Sequence, residues 1–214
     1  MNGPGLTEER LRHHLDSNHV MRERLCLAIM PVLGPYTREQ PRRPKGGPDG
    51  GRDIEAVFQG SMTVWGAVGF RNGGGNDEAA RREAESKFQT DLDRALSENP
   101  TLQGFVCFTN VDLTPGIIEH LKEAASKRGV SVVDICDMER MRHVLDSPEG
   151  LIARLQYLEI PMSATEQIAL VTSLALNSKT LYWQDSTASN VPFHKWNAFW
   201  RSKNHCTGLT SMYP

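Results

Sequence analysis

Three carboxylates stand in or just after a glycine-rich loop: Asp49, Asp53 and Glu55. The loop, residues 45 to 52, contains four glycines, which adopt backbone conformations closed to other residues, and Pro48 stiffens one side of its turn. An apolar run follows at once, so we expect the loop to deliver the carboxylates to one end of a sheet. Carboxylate oxygens are hard ligands, and the pattern predicts a site for Mg²⁺ or a similar ion at these three carboxylates.

The elements that would position these residues begin with a hairpin. Residues 53 to 58 and 63 to 70 are apolar, partly alternating runs, and the four residues between them, Gln59 to Met62, are typical of a turn. A turn centred near Gly60 and Ser61 would place Asp53 opposite Val68 or Gly69.

Further along, strand and helix patterns alternate from residue 104 to 145. The runs at 105 to 108 and 130 to 135 are apolar enough for strands covered on both faces of a parallel sheet. Thr114 and Pro115 open the helix between them, and Gly129 ends it. The chain is therefore predicted to be α/β, with a mixed central sheet flanked by helices over residues 1 to 148.

A helix predicted from about residue 77 to 97 carries an unusual pair. Its apolar stripe includes Asp91, and Lys87 lies on the margin of the stripe one turn earlier. Buried charge is costly unless it is paired. Lys87 could supply a lysine to the Asp53 site, or the two residues could form an ordinary ion pair along the helix, worth a few tenths of a kcal/mol.

The segment from residue 34 to 52 has four prolines and no periodicity, which predicts a loop. It also contains the most basic stretch of the chain, with Arg42, Arg43, Lys45 and Arg52 beside the carboxylates. Such cations are suited to nucleic-acid phosphates, although a solvated loop has the same composition.

The run from Gly47 to Asp53 resembles the loop before the catalytic strand of restriction endonuclease-like nucleases of the PD-(D/E)xK superfamily, especially the Mrr-type group. The similarity extends over residues 45 to 145. It implies that Asp53 binds the metal and that a glutamate of the first helical region, here Glu23, supports the site. The next strand departs from the family pattern of Glu or Gln, any residue, then Lys, because Arg71 at the lysine position leaves Gly69 at the acidic one.

Two functions follow from this resemblance. The first is hydrolysis of DNA phosphodiesters, in the setting of defence against foreign DNA, with Asp53 and Glu55 at the metal and Arg71 or Lys87 in place of the lysine. Arg71 could stabilise charge but could not act as a general base. The second is a module that has lost cleavage and binds nucleic acid or a protein partner.

Net charge, cysteine spacing and hydropathy further limit the class of protein. The formal charge is −2, so nucleic-acid affinity has to come from a local patch. The four cysteines lack metal-type spacing and indicate reduced thiols in a cytoplasmic protein, and no run is long and apolar enough for a membrane span. Residues 149 to 214 are predicted to form a helical extension. Its aromatic residues near Trp196 would pack on the main domain or form a homodimer or partner surface.

Overall fold

The computed structural model describes residues 4 to 41 and 53 to 188 of the 214-residue chain. Two helices are followed by three strands, strands and helices then alternate, and three helices follow the last strand. The helices are α1 (Pro4–His13), α2 (His19–Leu33), α3 (Glu78–Glu98), α4 (Pro115–Ser126), α5 (Met138–Leu145), α6 (Leu151–Leu158) and α7 (Ala164–Ala188). The strands are β1 (Tyr36–Pro41), β2 (Ile54–Phe58), β3 (Met62–Val68), β4 (Gly104–Phe108) and β5 (Val132–Cys136).

The five strands form one mixed sheet in the order β1-β2-β3-β4-β5. β1, β2 and β3 pair in antiparallel fashion, whereas β3, β4 and β5 are parallel. Helix α3 connects β3 to β4 and α4 connects β4 to β5, as parallel neighbours require. The predicted α/β fold with a mixed sheet flanked by helices is confirmed.

Two apolar cores lie on the two faces of the sheet. One joins the sheet to α1, α2, α5 and α6, and includes Ile54 from β2 and Leu25 from α2. The other joins it to α3 and α4, and includes Phe88 from α3 and Phe105 from β4, whose rings meet edge to face at 5.7 Å. Strand β4 is buried along its whole length between the two cores.

The structure corrects the prediction of an unbroken loop after residue 34, because β1 pairs there with β2. Strand β1 is an edge strand within the described residues, and its last residue is Pro41, which an edge tolerates because the missing N–H removes no essential ladder bond. Pro35 before the strand and Pro41 at its end had favoured the prediction of a loop. The N-terminal region forms two helices, and the side chain of Asn18 caps the second by accepting from the N–H of Met21.

The predicted hairpin is present, but its register differs from the prediction. The connection is Gln59, Gly60 and Ser61, and both Gln59 and Gly60 have positive φ angles (48° and 77°). Because Ile54 pairs with Gly66, continuation of the ladder sets Asp53 opposite Ala67 instead of Val68 or Gly69. The difference arises because the turn is centred on Gly60, whereas the prediction placed its centre between Gly60 and Ser61.

Several predictions concern residues outside the described part of the chain. They are the basic-loop residues Arg42, Arg43, Lys45 and Arg52, the loop carboxylate Asp49, and the aromatic residues from 193 to 200. The chain divides into two compact units, Met1–Leu170 and Val171–Pro214. No helix among the described residues has both the length and the apolar character needed to cross a membrane.

Candidate active site

A polar cavity of about 360 Å³ opens in the first unit beside the start of β2. Its walls come from the first turns of α2 and the middle of α3, and its floor from the start of β2 and the end of β3. The lining residues are His19, Arg22, Glu23, Asp53, Val68, Phe70, Lys87, Asp91 and Arg94. Three carboxylates and three permanent cations therefore share one small volume.

Asp53 is fixed at the mouth of the hairpin by the backbone of β3. Its N–H donates to the carbonyl of Gly66 at 2.8 Å, and its Oδ2 accepts from the N–H of Val68 at 2.6 Å. These two bonds set the direction of the side chain toward the cavity. The sequence predicted Asp53 as the central carboxylate, and the structure gives it a defined position in a polar cavity.

Helix α3 brings Lys87 and Asp91 to the same cavity. Asp77 caps the helix by accepting from the N–H of Ala80 at 2.7 Å, and the apolar stripe that includes Phe88 packs against the sheet. Asp91 lies within this stripe and is 2% exposed, while the Lys87 side chain is 46% exposed. The Nζ of Lys87 donates to Oδ1 of Asp91 at 2.6 Å. The predicted placement of Asp91 on the buried stripe and Lys87 on its margin is confirmed.

The stem of Lys87 packs over Gly69, just past the end of β3. A Cβ built on Gly69 would stand 3.1 Å from Cγ of Lys87 and 3.6 Å from the carbonyl oxygen of Phe108. The 3.1 Å separation from Lys87 is too short for ordinary packing, so a side chain at position 69 would compete with the lysine for space. The absence of a side chain at Gly69 and the position of Lys87 are therefore complementary.

Helix α2 contributes Glu23 and Arg22. Arg22 is 3% exposed and connects this wall to the loop after β3, since its guanidinium donates to the carbonyl oxygens of Leu15 (2.8 Å) and Phe70 (3.1 Å) and to Oδ1 of Asn72 (2.5 Å). Arg22 is thereby committed to the fold. Its chain neighbour Glu23 lines the cavity together with Asp53.

The electrostatics of the cavity extend to a thiol beneath it. Burial, with the charge of Asp91 as the next contribution, raises the pKa of Cys107 to about 12, and the charge of Lys87 partly offsets that rise. Asp53 contributes to the same shift. Burial likewise raises the pKa of Cys26, with further contributions from Asp53 and Glu23. Both thiols are therefore neutral at physiological pH, and neither is a ready ligand or nucleophile.

Two predicted residues lie away from this cavity. Glu55 is exposed on β2, opposite Trp65, and does not line it. Arg71 lines a separate cavity of about 140 Å³ together with Gly69 and Lys87, and its Nε lies 3.2 Å from Oε2 of Glu83. The structure thus brings Asp53 and Lys87 together and leaves Glu55 and Arg71 outside.

Besides Arg22, which is committed to the fold, two charged or titratable cavity residues were not predicted as part of the site: His19 and Arg94. A signal for both exists, because His19 and Glu23 are four residues apart, as are Lys87 and Asp91, with Arg94 three residues later. These spacings place each set on one face of a helix. The sequence did not indicate that the two faces would meet across the end of the sheet.

Among the described residues, no group of three or more His, Cys, Asp or Glu side chains is arranged to hold a metal ion. Asp53 and Glu23 remain two hard oxygen donors on one cavity. Mg²⁺ is commonly held by one or two carboxylates, with waters and substrate phosphate completing the coordination. The donor set therefore fits a metal that binds together with a phosphate substrate better than a metal enclosed by protein.

Scans against protein-family models and searches of curated proteins and of solved structures return no match for this chain. The functional argument consequently depends on the geometry of the cavity.

Proposed function

We propose that the chain is a restriction endonuclease-like hydrolase that cleaves phosphodiester bonds of DNA with the help of Mg²⁺ or Mn²⁺. The observation that carries the proposal is the packing of Lys87 from α3 into the space over Gly69, in the cavity that also contains Asp53 and Glu23. A lysine from the helix would thus replace the one missing from β3. The resemblance to nucleases that act against foreign DNA suggested this chemistry, and the cavity supplies the residue that the strand lacks.

Asp53 and Glu23 would hold the metal ion. Metal ions in such sites lower the pKa of bound water and neutralise charge on the phosphate. The bonds from the β3 backbone orient Asp53 at the mouth of the hairpin, where it lines the cavity. Glu55, two residues along β2, is exposed and would act on the site only through water.

Lys87 would stabilise the negative charge that develops on the phosphate as the bond breaks. Asp91 holds its Nζ at 2.6 Å, and the half-exposed side chain faces the cavity, so its position is set before the substrate arrives. Preorganised charge of this kind is commonly the largest single contribution to catalysis. Arg71 is the less favoured candidate for the role, because it pairs with Glu83 in the neighbouring cavity.

A second candidate function is a nuclease-fold module that binds nucleic acid or a protein partner without cleaving. The observation in its favour is that the described residues include no group of three metal-ligating side chains. In this case Asp53 and Lys87 would be retained as part of a binding surface, and divalent metal would have no effect.

Cleavage of supercoiled plasmid in Mg²⁺ or Mn²⁺ separates the two functions. The wild-type chain should nick or linearise the plasmid, and Asp53→Ala and Lys87→Ala should abolish cutting. Lys127→Ala is the matched control, because Lys127 also pairs along a helix, with Glu123 at 3.8 Å, but on the exposed surface of α4. No cutting by the wild type, together with no metal binding by calorimetry, would favour the binding module.

A further inference from the structure

Arg94 is a cation of the cavity that has no acidic partner in the described part of the chain. It lies on α3 among the residues that line the cavity, and its side chain is exposed. A glutamate four residues later, Glu98, would allow an ordinary ion pair along the helix, yet no such pair forms in the structure. The guanidinium of Arg94 is therefore available to a ligand.

Each of the other two permanent cations of the cavity already has a protein acceptor. Arg22 donates to two carbonyl oxygens and to Asn72, and Lys87 donates to Asp91. Only a guanidinium presents donors in a planar fork that matches two phosphate oxygens. The cavity thus combines carboxylates suited to a metal with one arginine suited to an anion.

The spacing along α3 indicates which anion. Lys87 and Arg94 are seven residues, or two turns, apart, which separates their Cα atoms by about 10.5 Å along the helix axis. Both face the same cavity, so the helix presents two positive groups in a row with Asp91 between them. Two cations at this separation are suited to consecutive phosphates of one strand better than to two oxygens of a single phosphate.

We propose that Arg94 binds a nucleic-acid backbone phosphate adjacent to the phosphate that faces Asp53 and Lys87. This inference deepens the proposed function, because it names a contact that holds the substrate at the same site. Phosphate contacts position a nucleic acid without reading its sequence. Arg94 therefore contributes to affinity and register and leaves the chemical step to the other residues.

The test is metal-free binding, which separates this contact from hydrolysis. The full chain is titrated against a fluorescein-labelled DNA duplex in EDTA over a series of NaCl concentrations, and the affinity is followed by anisotropy. Loss of one phosphate contact should make the slope of log K against log salt shallower by about 0.9 in Arg94→Gln. Arg94→Lys, which keeps the charge, should keep the slope.

Arg82→Gln provides the matched control. Arg82 is an exposed arginine of the same helix that lies 3.7 Å from Glu78 and does not line the cavity, so its replacement should leave the slope unchanged. Equal slopes for wild type, Arg94→Gln and Arg82→Gln would overturn the proposal, as would a wild-type chain that does not bind the duplex. A chain that binds through Arg94 in EDTA but never cleaves would retain this inference and refute the hydrolase.

Discussion

Two sets of ion pairs in the first unit differ in which charge is buried. In the pair on α3 the carboxylate of Asp91 is buried and the cation of Lys87 reaches a cavity. At the junction of α5, α6 and α7 the cation is buried instead: Arg154 is 2% exposed, and its guanidinium donates to Asp146 at 2.9 Å and to Glu166 at 2.5 Å. The more exposed group is therefore the cation in the α3 pair and the carboxylates in the Arg154 cluster.

The Arg154 cluster is a structural connection. Asp146 also accepts from the hydroxyl of Thr7 at 2.7 Å, which ties α1 to the end of α5. Glu166 accepts from the N–H of Ser163 at 2.7 Å, and Ser163 Oγ accepts from the N–H of Glu166 at 3.3 Å, which forms a capping box at the start of α7. These charged groups bind one another and join four helices. Lys87, in contrast, donates to Asp91 and lines the cavity with Asp53, so we expect replacement of Arg154 to affect stability alone and replacement of Lys87 to affect the proposed activity.

The largest expected effect is on catalysis. Lys87→Met should lower the cleavage rate about 10³-fold, or about 4 kcal/mol, because a preorganised charge facing the phosphate is lost. The free energy of unfolding should fall as well, because the buried carboxylate of Asp91 loses the lysine that pairs with it. Plasmid cleavage kinetics and urea unfolding measure the two effects. Lys127→Met serves as the control, and equal rates for Lys87→Met and wild type would remove the lysine from the mechanism.

Replacement of Arg154 should affect stability and leave cleavage unchanged. Arg154→Met should lower the free energy of unfolding by about 3 kcal/mol, because Asp146 and Glu166 lose the buried cation that pairs with both. Cleavage by the folded fraction should be unchanged, since Arg154 does not line the cavity. Urea unfolding gives the stability. Arg82→Met, which breaks an exposed pair, should change it by less than about 0.5 kcal/mol; similar losses for both arginines would contradict the comparison.

A smaller effect tests the fit of Lys87 over Gly69. Gly69→Ala adds a Cβ 3.1 Å from Cγ of the lysine and should shift that stem, which we expect to lower the cleavage rate about tenfold. The same substitution in a Lys87→Met background should have little additional effect, because the group it displaces is already gone. A double-mutant cycle on cleavage rates measures this coupling. Additive effects would show that Gly69 acts independently of the lysine.

The comparison also shows what the sequence could predict. The mixed sheet, the hairpin and the stripe of α3 with Asp91 were predictable because periodicity and turn residues are local signals. The exact register was not, since a shift of the turn centre by half a residue moves the partner of Asp53 from Val68 to Ala67. Strand β1 was missed because its residues are mostly polar and lie between Pro35 and Pro41, a composition that is also typical of a loop.

The contents of the cavity depend on tertiary packing. Glu23 lies on α2 and Lys87 and Arg94 lie on α3, and only the packing of these two helices at one end of the sheet brings the three residues to Asp53. In the sequence, Gly69 at the acidic position of the family pattern indicated that the catalytic site had been lost. In the structure the same glycine makes room for Lys87, a relation between two distant residues that no local pattern contains.

The smallest expected effect uses Cys107, the thiol beside the Lys87 and Asp91 pair. Burial and Asp91 raise its pKa to about 12 in the folded protein, from 9.0 in the unfolded chain. The thiol therefore stabilises the fold fully below pH 9, and this contribution is lost as pH rises toward 12, because the unfolded chain ionises first. For this thiol the loss should reach about 0.8 kcal/mol by about pH 9.5. Urea unfolding at about pH 8 and pH 9.5 should show a smaller decline in Cys107→Ala than in wild type; an equal decline would show that the thiol titrates normally.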